Sequence, residues 1–598
     1  GKAVLDELSP RDARRRRFSR TYLSVVSALA IAGVAVFIYD QSIGLPKAED
    51  AGTPAVTLER VLPPVLDNSI AVLPFVNLDG SEETQIFANG LVDDVITRLS
   101  RVPGLLVSSR GDSFTLAPNS ASGDVRARLR VANYLEGSVQ RSGETFRIIV
   151  QMIDSETGFH VMSRSFDRPR QNLLDIRDEI TNLTVGNVRV ALPESGDTSS
   201  VLTAQDPDLD VYLLYRRGIE ASRKPPSLEV VAEALGWFDA ALEVDTDYAA
   251  AHAGKCVVYV NAYPLSDDPE TIARAENSCS RALELNPNLD IVHSALGDLY
   301  RSTGKYLAAE SAYLQALEIN PTGAEAMTGL GITYMRQGKP GPAEEIFVRA
   351  VGLHPGNWSA YNTLGSFFYR GGRYLEAAKQ YEIVVALDRS NAVGFANLGT
   401  ARMLAGEFAA AADAFAASLK ISQRANTHSN LGLMYYYLGR FEEAIEQHRQ
   451  AVRLEPNDHL KLSNLGDALW AAGRPDDARA AFRKADSLAR AALEVNPGDA
   501  NVHMDLAWIL AMLDDTRGAQ ESISAAKLGS PDDPYVDFIQ ALIWLRSNDI
   551  DAALSSLEDA VVKGYTREMI AAEPHLASLR QHPKFNRLLA QSETPGND

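Results

Sequence analysis

Three patterns of apolar and polar positions follow one another along the chain. The first, residues 21–39, TYLSVVSALAIAGVAVFIY, carries no charge. Nineteen residues at 1.5 Å rise make about 28 Å of helix, close to the thickness of a bilayer's hydrocarbon core. They read as a single transmembrane helix. The second pattern, over residues 69–192, alternates short apolar runs with helical periods. Residues 69–75 and 105–110 read as buried strands. Apolar positions 86, 87, 91, 95, 96 and 99 predict a helix over 86–102, and a second helix is predicted over 123–131. Residues 134–140 and 145–153, joined around Ser142-Gly143, read as a hairpin, with a further strand over 159–166. A helix over 173–192 closes this stretch. The third pattern begins near Asp210 and recurs with a period near 34 residues.

Small residues mark the period at Gly297, Gly331, Gly365, Gly399, Gly432 and Gly466, and a turn glycine follows at 304, 338, 372, 406, 439 and 473. Each second helix carries an alanine (309, 343, 377, 411, 444, 478), and four residues on come Tyr313, Phe347, Tyr381, Phe415, His448 and Phe482. Gly and Ala let two helix backbones approach, and the ring fills the wedge beside them. This pattern resembles the tetratricopeptide repeat (TPR). Gly218 and Gly254 open two earlier repeats with insertions, and Ala507 and Ala541 open two final ones. About ten repeats result, forming an α-solenoid over 210–572. Between Gly466 and Ala507 the spacing is seven residues longer, two helical turns that leave the face unchanged. Residues 573–598 read as a terminal cap and tail.

Composition narrows the function. The net charge of −20 sets most of the surface against nucleic-acid phosphates, so nucleic acid is not an expected partner. The exception is an arginine cluster at 11, 14–17 and 20. It places residues 1–20 on the cytoplasmic side and the rest across the membrane, in the periplasm of a bacterium, by the positive-inside rule. A cleaved signal peptide fits less well, because the Ala-x-Ala candidates fall inside the apolar run. Arg16-Arg17-Phe18-Ser19-Arg20 matches a twin-arginine signal only loosely. Residues 40–68 and 193–209 read as linkers.

No cofactor, metal or catalytic constellation is expected. The histidines show no ligand spacing. Asp93 and Asp94 are adjacent helix positions about 100° apart, so they do not chelate as a pair and read as a solvated helix face. Cys256 and Cys279 fall on the two helices of one repeat. A disulfide between them is conceivable, but Cys279 takes the place of a packing ring, so the pair reads as buried free thiols.

Residues 69–192 resemble the TolB amino-terminal-like (FlgO-like) domain, through SIAVLPFVNLDGSEETQIFANGLVDDVITRLSRVPGLLVSSRGDSF, YLEGSVQRSGETFRIIVQMIDSETGFHVMSRSFDRP and LLDIRDEIT. The resemblance implies a small α/β domain in a bacterial membrane protein that also carries TPRs. In several relatives a class III adenylyl cyclase or CadC-like winged helix lies on the cytoplasmic side. Neither precedes residues 21–39 here, so neither activity carries over.

The expected fold is therefore mainly α: one transmembrane helix, a small α/β domain, then the solenoid. First helices of such repeats line the concave face. The positions expected to face in are Arg301, Met335, Arg336, Tyr369, Arg370, Met403, Leu404, Tyr436, Tyr437, Trp470, Met504 and Trp508. They make an aromatic and methionine floor for a protein or peptide, with arginines at one end suited to acidic segments. The expected function is a membrane-anchored scaffold, not an enzyme. Two alternatives stand beside it. One is the sensory half of a transmembrane signalling protein whose effector domain is absent from this sequence. The other is a structural subunit that assembles through its own repeats.

Overall fold

The computed structural model describes residues 62–102, 104–188, 208–266 and 268–590. The arginine cluster, residues 21–39 and most of both linkers lie outside them. Among the described residues no helix is long and apolar enough to cross a membrane. The chain forms two compact units, one of residues 62–367 with 386–388 and one of residues 368–385 with 389–590.

The first unit opens with an α/β domain. Its elements are β1 (Leu66–Val72), β2 (Val76–Asn77), α1 (Glu82–Ser100), β3 (Leu106–Val107), α2 (Arg110–Ser113), α3 (Ser122–Leu129), β4 (Val131–Ser142), β5 (Thr145–Asp154), β6 (His160–Pro169) and α4 (Ile176–Asn187). The strand order is β3-β1-β4-β5-β6, with β2 beside β4. β1 runs parallel to β3 and β4, whereas β4, β5 and β6 form an antiparallel meander. Gly143, at φ +62°, makes the tight β4–β5 turn that the sequence placed there. α1 starts where Ser81 accepts from the Thr84 amide, with Glu82 and Glu83 in its first turn. Phe87, Leu91, Val95 and Leu99 of α1 share a core with Ile70, Val72, Leu135 and Val150 of the sheet and Ile176 and Ile180 of α4. The strand expected over 105–110 is cut short, because Ser109 caps α2 by accepting from the Asp112 amide.

This domain is seated on the repeats of its unit. The segments joining one helix pair to the next supply the contacts. Arg101 reaches Asp290 at 3.3 Å, and the Thr322 hydroxyl donates to the Ser100 carbonyl at 3.0 Å. The His354 ring nitrogens lie 3.2 Å from the Val107 carbonyl oxygen and 2.8 Å from that of Thr322. A Cβ on Gly356 would stand 2.2 Å from the Leu129 carbonyl oxygen, so only glycine fits against the end of α3.

Asp93 corrects the reading of a solvated helix face, for it is buried. It pairs with Arg216 of the first repeat helix, with Arg110 at 2.6 Å and with Arg223 at 3.1 Å. Asp94 takes Arg177 at 3.0 Å and the Tyr212 hydroxyl at 2.9 Å. Burial opposes the charge on Asp93, but Arg216, Arg223 and Arg110 outweigh it and hold its carboxyl below the usual range. Two adjacent acids thus tie α1 to the array.

The array comprises ten helix pairs among the described residues, from Leu209–Ser222 with Leu228–Val244 to Pro534–Arg546 with Ile550–Val562. The glycine–ring wedge explains the pairing. A Cβ on Gly331 would lie 2.4 Å from the Phe347 ring, and one on Gly466 would lie 2.7 Å from that of Phe482. His448 fills the same wedge against Gly432 and is fully enclosed. The turn glycines all have positive φ, and in the last two repeats Asp514 and Asn548 adopt that conformation instead. The longer spacing after Gly466 is one 21-residue helix, Pro475–Val495, where the preceding second helix, Phe441–Leu454, has 14 residues.

Cys256 and Cys279 form a disulfide, which corrects the reading of free thiols. The two helices that carry them bring the Cα atoms to 5.3 Å, within bonding reach. The spacing along the sequence left both outcomes open.

Candidate functional site: the face lined by first helices

The twelve positions expected to face inward meet different surroundings in the two units. In the first unit, Arg301 is held at home: its guanidinium donates to Asp298 at 3.0 Å and to the Tyr313 hydroxyl at 3.2 Å. Tyr313 in turn donates to Asp298 at 2.7 Å. Met335 is half-buried. Arg336 is exposed, with no ion pair or side-chain hydrogen bond among the described residues.

In the second unit, Arg370 is likewise exposed and unpaired among the described residues. Tyr369 sits half-buried against Tyr374, ring centroids 5.7 Å apart, and its hydroxyl has no hydrogen-bond partner among the described residues. Met403, Leu404, Met504 and Trp508 are buried, and so is Tyr436. Trp470 remains 37% exposed.

What covers this part of the face is the chain's own carboxyl-terminal segment. Residues 565–579 comprise Tyr565, the helix Arg567–Ala572 and the 3-10 turn Pro574–Leu579. Tyr565 stacks on Phe538 at 4.3 Å. The side chain of Glu568 lies over Gly406, where a Cβ would meet it at 2.4 Å. Glu573 is only 5% exposed and accepts from the Tyr436 hydroxyl at 2.8 Å. The His575 ring stacks on Trp470, centroids 4.0 Å apart, and meets Trp508 edge-on at 4.8 Å. Its Nε2 stands 3.4 Å from Asp467. The Trp508 indole N–H donates to the same Asp467 at 3.0 Å. The helix Pro583–Ala590 then returns to Ile550–Val562 of the last pair, and its Leu588 carbonyl accepts from Arg567 of the covering segment. The expected boundary at 572 therefore falls inside one segment: residues 565–572, expected to belong to the solenoid, and residues 573–579, expected to belong to the cap, run together along the inner face, and residues 583–590 finish the array.

Beneath the segment is a cavity of about 60 Å³, room for roughly four waters. Ser463, Asn464, Asp467, Asp505 and Glu573 give it polar walls. Burial raises the carboxyl of Glu573 above its usual range, while His575 and Tyr436 act the other way. Burial also raises Asp505, although His459 bonds it at 3.0 Å. Burial holds the enclosed His448 down at about 3, hence neutral. Among the described residues no cluster of His, Cys, Asp or Glu could hold a metal ion. The face has the furnishing of a recognition surface: rings, buried acceptors and a few donors.

Glu573, His575 and Asp467 were absent from the sequence-derived set. Asp467 lies three residues before Trp470 on the same helix, hence on the same face, so a signal for it existed. Nothing periodic marks Glu573 or His575.

Comparisons with known proteins agree with the repeat geometry. Tetratricopeptide-repeat models match residues 425–458, 328–392, 368–426 and 462–484, and a TPR-repeat model matches residues 297–338. A curated relative, putative adenylate cyclase 3 of Rhizobium meliloti, is 37% identical over 193 residues, 32% of this chain and 32% of that protein. The chain thus spans about a third of that relative's length. Among solved structures, MamA is 28% identical and is covered over 95% of its length and 27% of this chain, with a TM-score of 0.26. YrrB, described as a TPR protein with an unusual peptide-binding site, is 23% identical over 31% of this chain and 95% of its own, with a TM-score of 0.28. A tetratricopeptide repeat protein from Parabacteroides merdae is 16% identical over 45% and 99%, with a TM-score of 0.34. With its glycine–ring wedges, positive-φ turns and paired helices, this chain carries tetratricopeptide repeats.

Proposed function

We propose that the protein is a scaffold that binds a peptide or protein partner on the face lined by first helices. One observation carries the reading: in the second unit that face holds a stretch of polypeptide, with a carboxylate on Tyr436 and an imidazole between Trp470 and Trp508. Exposed Arg336 and Arg370, neither paired among the described residues, offer donors to acidic residues of a ligand. The test is a crosslinking capture from membranes, comparing wild type with R336E/R370E. Capture that falls at least about tenfold, a loss of 1.4 kcal/mol, with unchanged melting supports the reading. Undiminished capture moves the function to the outer face or the α/β domain.

We further read residues 21–39 as a membrane anchor with the folded units in the periplasm, and the α/β domain as TolB amino-terminal-like. The charge-free run and its arginine flank support the anchor, and the Cys256–Cys279 disulfide suits an oxidising compartment. Protection of the repeats from protease in intact spheroplasts would overturn the placement.

The relative named as an adenylate cyclase favours a second reading, the regulatory part of a transmembrane signalling protein. An effector domain encoded in frame ahead of Gly1 would favour it over the free-standing scaffold.

A further inference from the structure

We propose that residues 565–579 are an internal ligand of the second unit's inner face, with His575 filling a cage of Trp470, Trp508 and Asp467 that takes a cationic side chain of a partner peptide once the segment is displaced. The inference rests on the scaffold reading and adds to it the chemistry of the ligand and the device that controls access.

The cage is built for a positive group. One indole lies flat beneath the imidazole at 4.0 Å and the other meets it edge-on at 4.8 Å. A cation over an indole face is attracted by the ring's negative π-cloud, more strongly when water is excluded. Asp467 closes the third side at 3.4 Å and is held in place by the Trp508 indole N–H at 3.0 Å. Lysine, arginine or protonated histidine satisfies all three walls; an aliphatic group meets the two indoles but leaves Asp467 without a counter-charge, and a carboxylate is repelled by Asp467.

The segment is held like a ligand rather than like a repeat. It lacks the glycine–ring wedge that pairs the two helices of a repeat, and it lays an apolar side, Met569, Ile570, Leu576 and Leu579, into the unit's core as a docked helical peptide does, with Tyr565 on Phe538, Glu573 on Tyr436 and His575 in the cage beside it. The cavity under Glu573 shows that the seat is not packed to the density of the repeat core. A tethered segment competes at a high effective concentration, so a free peptide of similar chemistry binds only when the tethered one is weakened.

The test uses the full chain and a fluorescein-labelled peptide of residues 565–579. E573A/H575A removes two of the holding contacts. The expected result is binding of the peptide at least tenfold tighter to E573A/H575A than to wild type. A peptide with His575→Lys should be retained and one with His575→Ala lost. Adding W470A to the double variant should abolish binding.

Hydrogen exchange, read in parallel, makes every outcome decisive. Faster exchange confined to residues 565–579 in the double variant is expected. Unchanged protection there would mean that Glu573 and His575 do not hold the segment. Lost protection through the repeats would make the segment a structural part of the unit. Released segment with equal or absent peptide binding would mean that the face is no receptor for it. Each of these three overturns the inference. Partner capture with R336E/R370E is scored separately, so the scaffold reading stands or falls on its own.

Discussion

Arg336 in the first unit and Tyr437 in the second occupy the same place in their repeats, five residues after the key glycine. Arg336 is exposed and unpaired among the described residues. Tyr437 lies against Tyr436, ring centroids 5.7 Å apart, and is bonded to Tyr565. Repeat position dictates the direction in which a side chain leaves its helix. Whether it meets solvent is dictated by a segment that belongs to no repeat. The same building rule thus leaves the first unit's face open at Arg336 and the second unit's face closed over Tyr436, and the two cases deserve different experiments.

The largest effect expected is at the closed part. Trp508→Ala removes a buried indole and the N–H that positions Asp467, and should cost about 4 kcal/mol. Met335→Ala, at the matching floor of the open part, should cost under about 1 kcal/mol. Urea unfolding of both variants checks the contrast, and equal losses would erase it.

Next comes the tie between the α/β domain and the first repeat. Asp93→Ala strands the buried Arg216 and should destabilise the first unit by about 3 kcal/mol. Hydrogen exchange should show the loss in α1 and helix Leu209–Ser222, with the second unit unaffected.

A pH experiment sharpens the same contrast. Asp112 of the α/β domain is buried, and burial pushes its carboxyl up to about 7 from 3.8. The Ser109 hydroxyl opposes the shift and the charge of Glu325 adds to it. Its folded value lies above the unfolded one, so the domain is fully stable with respect to this group below 3.8 and loses stability as pH rises through 7. Asp112→Asn should therefore stabilise the chain by about 2 kcal/mol at pH 8 and change nothing at pH 3.5. Thermal melting at both values decides it.

The smallest effect concerns the closing segment. Glu573 also has a raised carboxyl and faces Tyr436, Tyr437, Asp467, Tyr565 and His575. Seating of the segment is strongest when Glu573 is protonated and weakens as pH rises through its folded value. Glu573→Gln keeps an acceptor for Tyr436 without the charge. At pH 8 it should slow exchange in residues 565–579, by no more than about 1 kcal/mol, the scale of one hydrogen bond. Faster exchange would contradict the account.

The repeats were legible because one contact recurs. Each glycine must sit where a ring presses, so Gly331 with Phe347 and Gly466 with Phe482 print the same spacing into the sequence. The α/β elements were legible for a similar reason, since each strand or helix declares its own period. The features that escaped are single long-range meetings. Tyr436 and Glu573 are 137 residues apart, and Asp93 and Arg216 are 123 apart; neither pairing leaves a periodic trace. Asp93 therefore looked like a solvated acid until helix Leu209–Ser222 was placed against α1. The cysteines failed differently. Their spacing put them on facing helices, but whether the sulfurs meet depends on how those helices pack.

That cystine has a mechanical consequence. It closes a loop across a sequence separation of 23, about 80 Å of extended chain. A protein anchored at one end and loaded at the other through a bound partner would pay out every repeat it unravels except this loop. In a single-molecule pulling trace the total extension would fall short by that length, and a reducing agent would restore it, giving a covalent gauge of the force path through the first unit.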